Sequence, residues 1–184
     1  MGKFHIVAPY LSEEWPDSTD TMTLRLSKSS TSSHLWGSFD FGIISGIIRS
    51  SAKPPTGTGD ECPFFWRGHE SGEGQMEFGE GKTGHIIFLG NGKIKGRMEW
   101  VGGFEFVGKQ DDESLRRVVW QKSVKGWKSK WRGINKRSYE SARIARWGKW
   151  GGDPAPDKPS LSDTSGGGGE NSGSGSDDEG DFDM

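Results

Sequence analysis

Hydrophobic and polar residues alternate along most of the first 110 residues of the chain. The alternation is clearest in 22-MTLRLSK-28, in 93-KIKGRMEW-100 and in 103-GFEFVGK-109. A pattern of period two is typical of antiparallel strands that are buried on one face and exposed on the other. Shorter runs predict further strands at residues 4–8, 34–41, 43–49, 62–68 and 84–89. The pattern therefore predicts seven or eight short strands and no helix between them.

Turn residues and glycines indicate how these strands are connected. Gly90-Asn91-Gly92 separates two strands and is a strong hairpin signal. Glycines inside strands, as in Gly42–Gly46 and Gly92–Gly96, mark sharp bends or close backbone approach, which a small closed barrel requires. Because a meander of this length leaves exposed edges unless it closes, the sequence predicts an antiparallel up-and-down β-barrel. A two-sheet sandwich is the alternative.

The period of the pattern changes after residue 114. Between residues 127 and 145, apolar and small residues recur at helical spacing with lysine and arginine around them. They predict one basic amphipathic helix, from Lys128 or shortly before it to Trp147, that packs its tryptophan face on the barrel. Beyond it, residues 151–184 are rich in Gly, Ser, Pro and acids, which is typical of disorder. The predicted domains are a barrel at 1–114, a helical arm at 115–150 and a disordered tail at 151–184.

The formal net charge of -2 conceals a strong segregation of charge. Residues 1–114 carry 11 basic and 16 acidic residues, and residues 115–150 carry 12 basic residues and one acidic residue. Residues 151–184 carry one lysine and nine acidic residues. Such asymmetry is typical of interaction segments. The acidic tail is therefore a candidate competitor for any anionic partner of the basic arm.

The arm also holds five of the nine tryptophans: Trp120, Trp127, Trp131, Trp147 and Trp150. Aromatic rings interleaved with cations are typical of surfaces that bind single-stranded nucleic acid. The same composition suits a helix that binds an anionic membrane or enters a hydrophobic groove of a protein. In a third interpretation the tryptophans only anchor the helix on the barrel. The candidate partner-binding residues are Trp127, Lys128, Lys130, Trp131 and Arg132.

A second candidate site lies in 64-FFWRGHESGEGQ-75. On a strand, Trp66 points to one face while Arg67 and His69 point to the other. If the Arg67 face is inside the barrel, its guanidinium orients an anionic or polar ligand in a lined pocket. If Trp66 points inward, it is a core residue, and a barrel filled by aromatic side chains excludes a carrier or enzyme of this type. The candidate ligand-binding residues are Trp36, Trp66, Arg67, His69 and Glu70.

Three motifs that suggest chemistry fail on spacing or context. Gly81-Lys82-Thr83 resembles a phosphate-binding loop, but Met76 occupies the position that requires glycine, and the following residues predict a strand instead of a helix. His69-Glu70 has Glu73 where a zinc-binding helix needs its second histidine. Cys62 precedes proline in an apolar strand, which favours a core thiol. We therefore predict no catalytic residue, metal or cofactor.

Other features bear on the cellular compartment. With Cys62 as its single cysteine the chain forms no internal disulfide, and its N-terminus shows no cleavable signal pattern. No segment approaches the roughly 18–20 apolar residues of a membrane span. We therefore expect a soluble intracellular protein of the cytoplasm or nucleus.

Several segments resemble a group of small uncharacterised proteins that are common in filamentous fungi. They are 35-LWGSFDFG-42, 46-GIIR-49, 65-FWRGHESGEG-74, 84-GHIIF-88, 94-IKG-96, 106-FVG-108 and, in the arm, Tyr139-Glu140 with Arg143, Arg146 and Trp147. The resemblance covers about residues 5–150 and implies no known activity. Separately, the meander of glycine-bounded strands is similar to the calycin-type barrels of lipocalins and avidins, which implies a fold and no function. The chain lacks the paired cysteines and secretion signal of typical lipocalins.

The expected function is a non-catalytic intracellular binding module that uses the barrel interior or the basic Trp-rich arm. Its ligand is an unknown small molecule or protein. One alternative is a small lipocalin-like enzyme with Arg67, His69 and Glu70 at the barrel mouth. The other is single-stranded nucleic-acid binding through residues 115–150.

Overall fold

The computed structural model describes residues 2–30, 33–72, 74–111 and 120–147. The predicted tail, and the predicted domain boundaries near residues 114 and 150, lie outside these ranges. The described elements are β1 (Gly2–Val7), α1 (Pro9–Glu14), a 3-10 helix (Pro16–Ser18), β2 (Met22–Lys28), β3 (Leu35–Asp40), β4 (Ile44–Ser50), β5 (Glu61–Glu70), β6 (Met76–Glu77), β7 (Thr83–Gly90), β8 (Lys93–Met98), β9 (Phe104–Gln110), α2 (Trp120–Gly133) and α3 (Lys136–Trp147).

Eight of the strands form a closed antiparallel barrel with up-and-down order. β1 to β5 pair in succession, β5 pairs with β7, β7 with β8 and β8 with β9. β9 then pairs with β1 and closes the sheet. The short strand β6, which the sequence pattern did not predict, pairs with the end of β5. The predicted barrel is confirmed, and the sandwich alternative was wrong.

Turn and glycine geometry explains why this sequence closes into a small barrel. Asn91 and Gly92 join β7 to β8 with φ values of 49° and 69°, and positive φ at both central residues is what a type I′ hairpin requires. Inside the barrel, Gly46 of β4 faces Gly68 of β5. A Cβ on Gly46 would lie 2.2 Å from the carbonyl oxygen of Arg67, so the two strands approach too closely for any side chain.

Side chains fill the barrel interior. The void at its centre has a volume of about 10 Å³, roughly the smallest space that holds one water molecule. Its lining comes from seven strands and is mainly aromatic and aliphatic. The buried residues of this core include Phe4, Ile6, Leu24, Leu26, Phe39, Ile48, Cys62, Phe64, Trp66, Ile86, Ile94, Met98, Phe104 and Phe106.

The connection between β1 and β2 is helical, so the prediction of no helix in the barrel region was wrong. Pro9 begins α1, and its fixed φ favours this position. Leu11 of α1 is fully buried. Trp15, which follows α1, stacks on Trp100 with 6.0 Å between ring centroids. A helix of six residues with one buried side chain, Leu11, is too short to produce a helical period in the sequence.

The basic arm is helical as predicted, but it contains two helices instead of one. The break lies at Ile134 and Asn135, between α2 and α3. The Asn135 Oδ1 atom accepts a hydrogen bond of 3.0 Å from the backbone N–H of Ser138, which caps the N-terminus of α3. A glycine at position 133 followed by a capping asparagine at position 135 is typical of the end of one helix and the start of the next. In the described part of the chain, no helix combines the length and hydropathy needed to cross a membrane.

Candidate binding surface and groove

Helix α2 packs on the outer wall of the barrel, against β2, β3 and β4. Trp36 and Ile47 of the wall form an apolar cluster with Val124 and Trp127 of the helix. Trp131 meets Trp36 edge-on, with 5.9 Å between ring centroids. Trp127 is therefore buried by this packing, and Trp131 is partly buried against the barrel.

Arg67 fixes the C-terminal end of α2. Its Nη1 atom donates to the carbonyl oxygens of Trp131 at 2.9 Å and Ile134 at 3.1 Å. The guanidinium also lies 4.5 Å from the ring centroid of Trp131. A cation at this position satisfies carbonyls that a helix end leaves open and complements the helix dipole. Burial, and then the charge of Arg49, lower the pKa of Arg67, although a guanidinium stays charged in proteins.

Arg67→Lys is expected to loosen this helix end while keeping the charge. Lysine cannot reproduce the flat, stacked fork of donors, and a hydrogen bond from a charged group contributes about 1.5–3 kcal/mol. Allowing for partial exposure, we expect amide hydrogen exchange at residues 130–134 to accelerate about five- to tenfold. Arg25→Lys, at an exposed position of β2, is the matched control and should leave exchange unchanged. Equal exchange in wild type and Arg67→Lys would contradict this role.

The arm presents a basic surface to solvent. We define it as the six exposed cations of the described helices: Lys125, Lys130, Arg132, Lys136, Arg137 and Arg143. The acidic residue among the described arm positions, Glu140, accepts a hydrogen bond of 3.2 Å from Nε of Arg143. Among the described side chains of these helices, the large apolar one that is exposed is Ile144, at 59%. The surface is therefore strongly cationic and nearly free of apolar area.

A groove of about 570 Å³ lies beside the end of α2, on the outer wall of the barrel. We call it the outer groove. Strand register places Thr23, Asp40, Ser45 and His69 side by side across β2 to β5. Its other lining includes Arg25 and Ser38 from the wall and Lys130 and Ile134 from the arm.

Most polar side chains of the outer groove have no partner among the residues that the structure describes. Asp40 accepts a hydrogen bond of 3.1 Å from the backbone N–H of Gly42. Across the residues that the structure describes, the side chains of Arg25, Ser38, Ser45 and His69 make no hydrogen bond or ion pair. A concave site with a few convergent polar side chains is characteristic of a ligand site.

The groove does not have the arrangement of a nucleophilic triad. In such a triad the histidine lies between the acid and the nucleophile. Here Ser45 lies between Asp40 and His69, which are two strand spacings, or about 10 Å, apart. The described residues also include no group of three or more His, Cys, Asp or Glu side chains placed to hold a metal ion.

Two other candidate reactive side chains, Cys62 and Lys82, have structural roles. Burial in the core raises the pKa of the Cys62 thiol, which disfavours the nucleophilic thiolate. Lys82 of the Gly-Lys-Thr segment pairs with Glu77 and lies 5.3 Å from the ring centroid of Trp66. The segment is a loop that leads directly into β7.

The structure separates the five predicted ligand-binding residues. Trp66 points into the filled interior and is 1% exposed. Trp36 and Arg67 lie beneath α2. His69 lines the outer groove, and Glu70 lines a separate depression at the end of the barrel. No single pocket in the described part of the chain brings these five together.

The predicted partner-binding residues divide by role. Trp127 and Trp131 pack on the barrel, and the Lys128 Nζ atom lies 5.7 Å from the ring centroid of Trp36. Arg132 belongs to the basic surface, and Lys130 belongs to both that surface and the outer groove. The side chains of Trp120 and Trp147, and the whole of Trp150, lie outside the described structure.

Sequence reasoning missed the groove residues Arg25, Ser38, Asp40 and Ser45. Each occupies an outward position in the alternation, where short polar residues are ordinary. Only the register across four strands shows that they meet. Their polarity alone does not predict a groove.

No protein-family model, curated protein or solved structure matches this chain. The resemblance to small fungal proteins and to calycin-type barrels therefore stays a prediction. The functional assignment depends on the basic surface and the outer groove themselves.

Proposed function

We propose that this protein is a non-catalytic intracellular binding module that holds the phosphate backbone of nucleic acid on helices α2 and α3. The observation that supports the proposal best is the basic surface: six exposed cations on helices whose Trp127 and Trp131 pack on the barrel. Clustered lysine and arginine side chains neutralise phosphates and release counterions, which drives binding without sequence preference. The filled barrel is then a rigid scaffold for the helices.

An anionic membrane is a less suitable partner for this surface. A helix that binds a membrane inserts an apolar face into the lipid. In this arm Val124 and Trp127 are buried against the barrel, and Ile144 alone of the described large apolar side chains is exposed. Nucleic acid requires charge and no apolar face, so it fits the surface better.

Binding inside the barrel and barrel-mouth catalysis have less support. The central void of about 10 Å³ is much smaller than the roughly 300–1,000 Å³ of small-molecule sites. Arg67, which would orient a ligand at the mouth, donates its hydrogen bonds to α2 instead. These observations favour binding on the outer surface of the molecule.

The proposal is tested by fluorescence anisotropy with a labelled single-stranded oligonucleotide at about 50 mM salt. Vesicles of phosphatidylcholine with and without phosphatidylserine are assayed in parallel by sedimentation. We expect the full-length protein to bind the oligonucleotide and to leave both vesicles free. Absence of oligonucleotide binding at low salt overturns the proposal, and binding to anionic vesicles alone indicates a membrane partner instead.

Removal of residues 151–184 is expected to tighten oligonucleotide binding about three- to tenfold at low salt, because an acidic segment that follows the arm in sequence competes electrostatically with phosphate. That segment carries nine acidic residues and one lysine. A full-length variant with these acids changed to Asn or Gln is the matched control and should reproduce the gain. Unchanged affinity in both proteins would contradict competition by the tail.

A further inference from the structure

The outer groove adjoins the basic surface and differs from it in chemistry. Where the basic surface offers charge, the groove offers hydroxyl groups, a carboxylate and an imidazole with two cations beside them. We propose that the groove accommodates one unpaired nucleotide of a single strand whose backbone follows α2. This inference rests on the proposed function and adds to it a preference for single-stranded over duplex nucleic acid.

The groove wall has the groups that hydrogen-bond to the edge of a nucleobase. Ser38 and Ser45 each offer a hydroxyl that donates and accepts, and Asp40 offers a carboxylate that accepts. The edge of an unpaired base presents both donors and acceptors. His69 adds a planar ring, which is one of the side chains on which unstacked bases lie in protein–RNA complexes.

The two cations of the groove lie on different elements. Arg25 belongs to the barrel wall, and Lys130 belongs to the last turn of α2. A phosphate bound between them would leave the attached base over the polar wall. Because Lys130 is also part of the basic surface, a backbone that follows the surface passes the mouth of the groove.

The shape of the groove favours an unpaired base. Its volume of about 570 Å³ lies within the range of small-molecule sites, and it is bounded by the barrel wall on one side and α2 on the other. Ile47 and Ile134, which are both buried, form the apolar part of its lining. A base that remains paired in a duplex cannot enter between these walls, since its edge is already occupied.

Ser45→Leu tests this assignment because it fills the groove without changing any charge. Thr58→Leu, at an exposed position in the loop between β4 and β5, is the matched control because Thr58 belongs neither to the groove lining nor to the basic surface. Affinities of the full-length proteins are measured for one labelled 12-nucleotide single strand and for its duplex. We expect Ser45→Leu to weaken single-strand binding about five- to tenfold and to leave duplex binding within about twofold of wild type. Thr58→Leu should match wild type on both.

Equal single-strand affinities for the two variants would overturn the nucleotide site and leave the proposed function intact. Failure of wild type to bind either nucleic acid would overturn both. A second measurement applies if Ser45→Leu does not fold. Adenosine monophosphate is titrated into wild type, and the amide resonances of Ser38, Ser45 and His69 are expected to shift. Shifts confined to α2 and α3 would overturn the assignment.

Discussion

Replacing Lys130, Arg132 and Lys136 together by glutamate is expected to lower affinity for a single-stranded oligonucleotide at least about 100-fold at low salt. All three side chains are exposed on the basic surface. A hydrogen bond between charged groups contributes about 1.5–3 kcal/mol, and each new carboxylate repels phosphate as well. Because about 1.4 kcal/mol corresponds to a tenfold change, loss of two such contacts already accounts for 100-fold.

The matched control reverses the same number of charges on another part of the barrel wall. Lys93, Lys95 and Lys109 are exposed on β8 and β9, whereas α2 packs on β2, β3 and β4. Their replacement by glutamate should change affinity by no more than about threefold, because salt screens charges beyond roughly 10 Å. Circular dichroism checks that α2 and α3 persist. Equal losses in the two triple variants would indicate that binding depends on net charge and on no particular surface.

Trp66→Ala is expected to lower the free energy of unfolding by about 3–5 kcal/mol, the usual cost of truncating a large buried aromatic side chain. Trp66 points into the barrel interior and is 1% exposed. Its ring meets Phe39 edge-on with 5.9 Å between centroids. Trp66→Phe should cost much less, because the indole Nε1 atom is buried with no hydrogen-bond partner among the described residues.

Urea denaturation followed by circular dichroism measures these differences. Phe65→Ala is the matched control, since Phe65 neighbours Trp66 on β5 but faces outward and is 47% exposed. It should change the free energy of unfolding by less than about 1 kcal/mol. A loss of under about 1 kcal/mol for Trp66→Ala would mean that the interior is not filled around this ring. That result would support ligand binding inside the barrel.

The barrel was predictable because its strands are half-buried and antiparallel. In β8, for example, Ile94 and Met98 point inward while Lys95 and Arg97 point outward, so period two is visible in the sequence. The face that Trp66 occupies was harder to predict, because Phe65 and Trp66 place large aromatic rings on opposite sides of β5. Only closure of the barrel determines that Trp66 is inside.

The role of the arm was only partly predictable. Tryptophans at helical spacing suit base stacking and packing on the barrel equally. The lysines between Trp127 and Trp131 do not distinguish these two roles. Their contact with Trp36 and Ile47 depends on residues about 80–95 positions earlier in the chain. The outer groove is still less visible in sequence, because it requires the register of β2 to β5 together with the end of α2.

The salt dependence of oligonucleotide binding tests the central claim most directly. The logarithm of the association constant falls linearly with the logarithm of salt concentration, with a slope of about -0.7 for each phosphate neutralised on a single strand. Engagement of about five of the six cations of the basic surface predicts a slope near -3.5 for wild type. The Lys130, Arg132 and Lys136 glutamate variant should show a shallower slope, by about two. A wild-type affinity that does not change between about 50 and 200 mM salt would contradict phosphate binding by this surface.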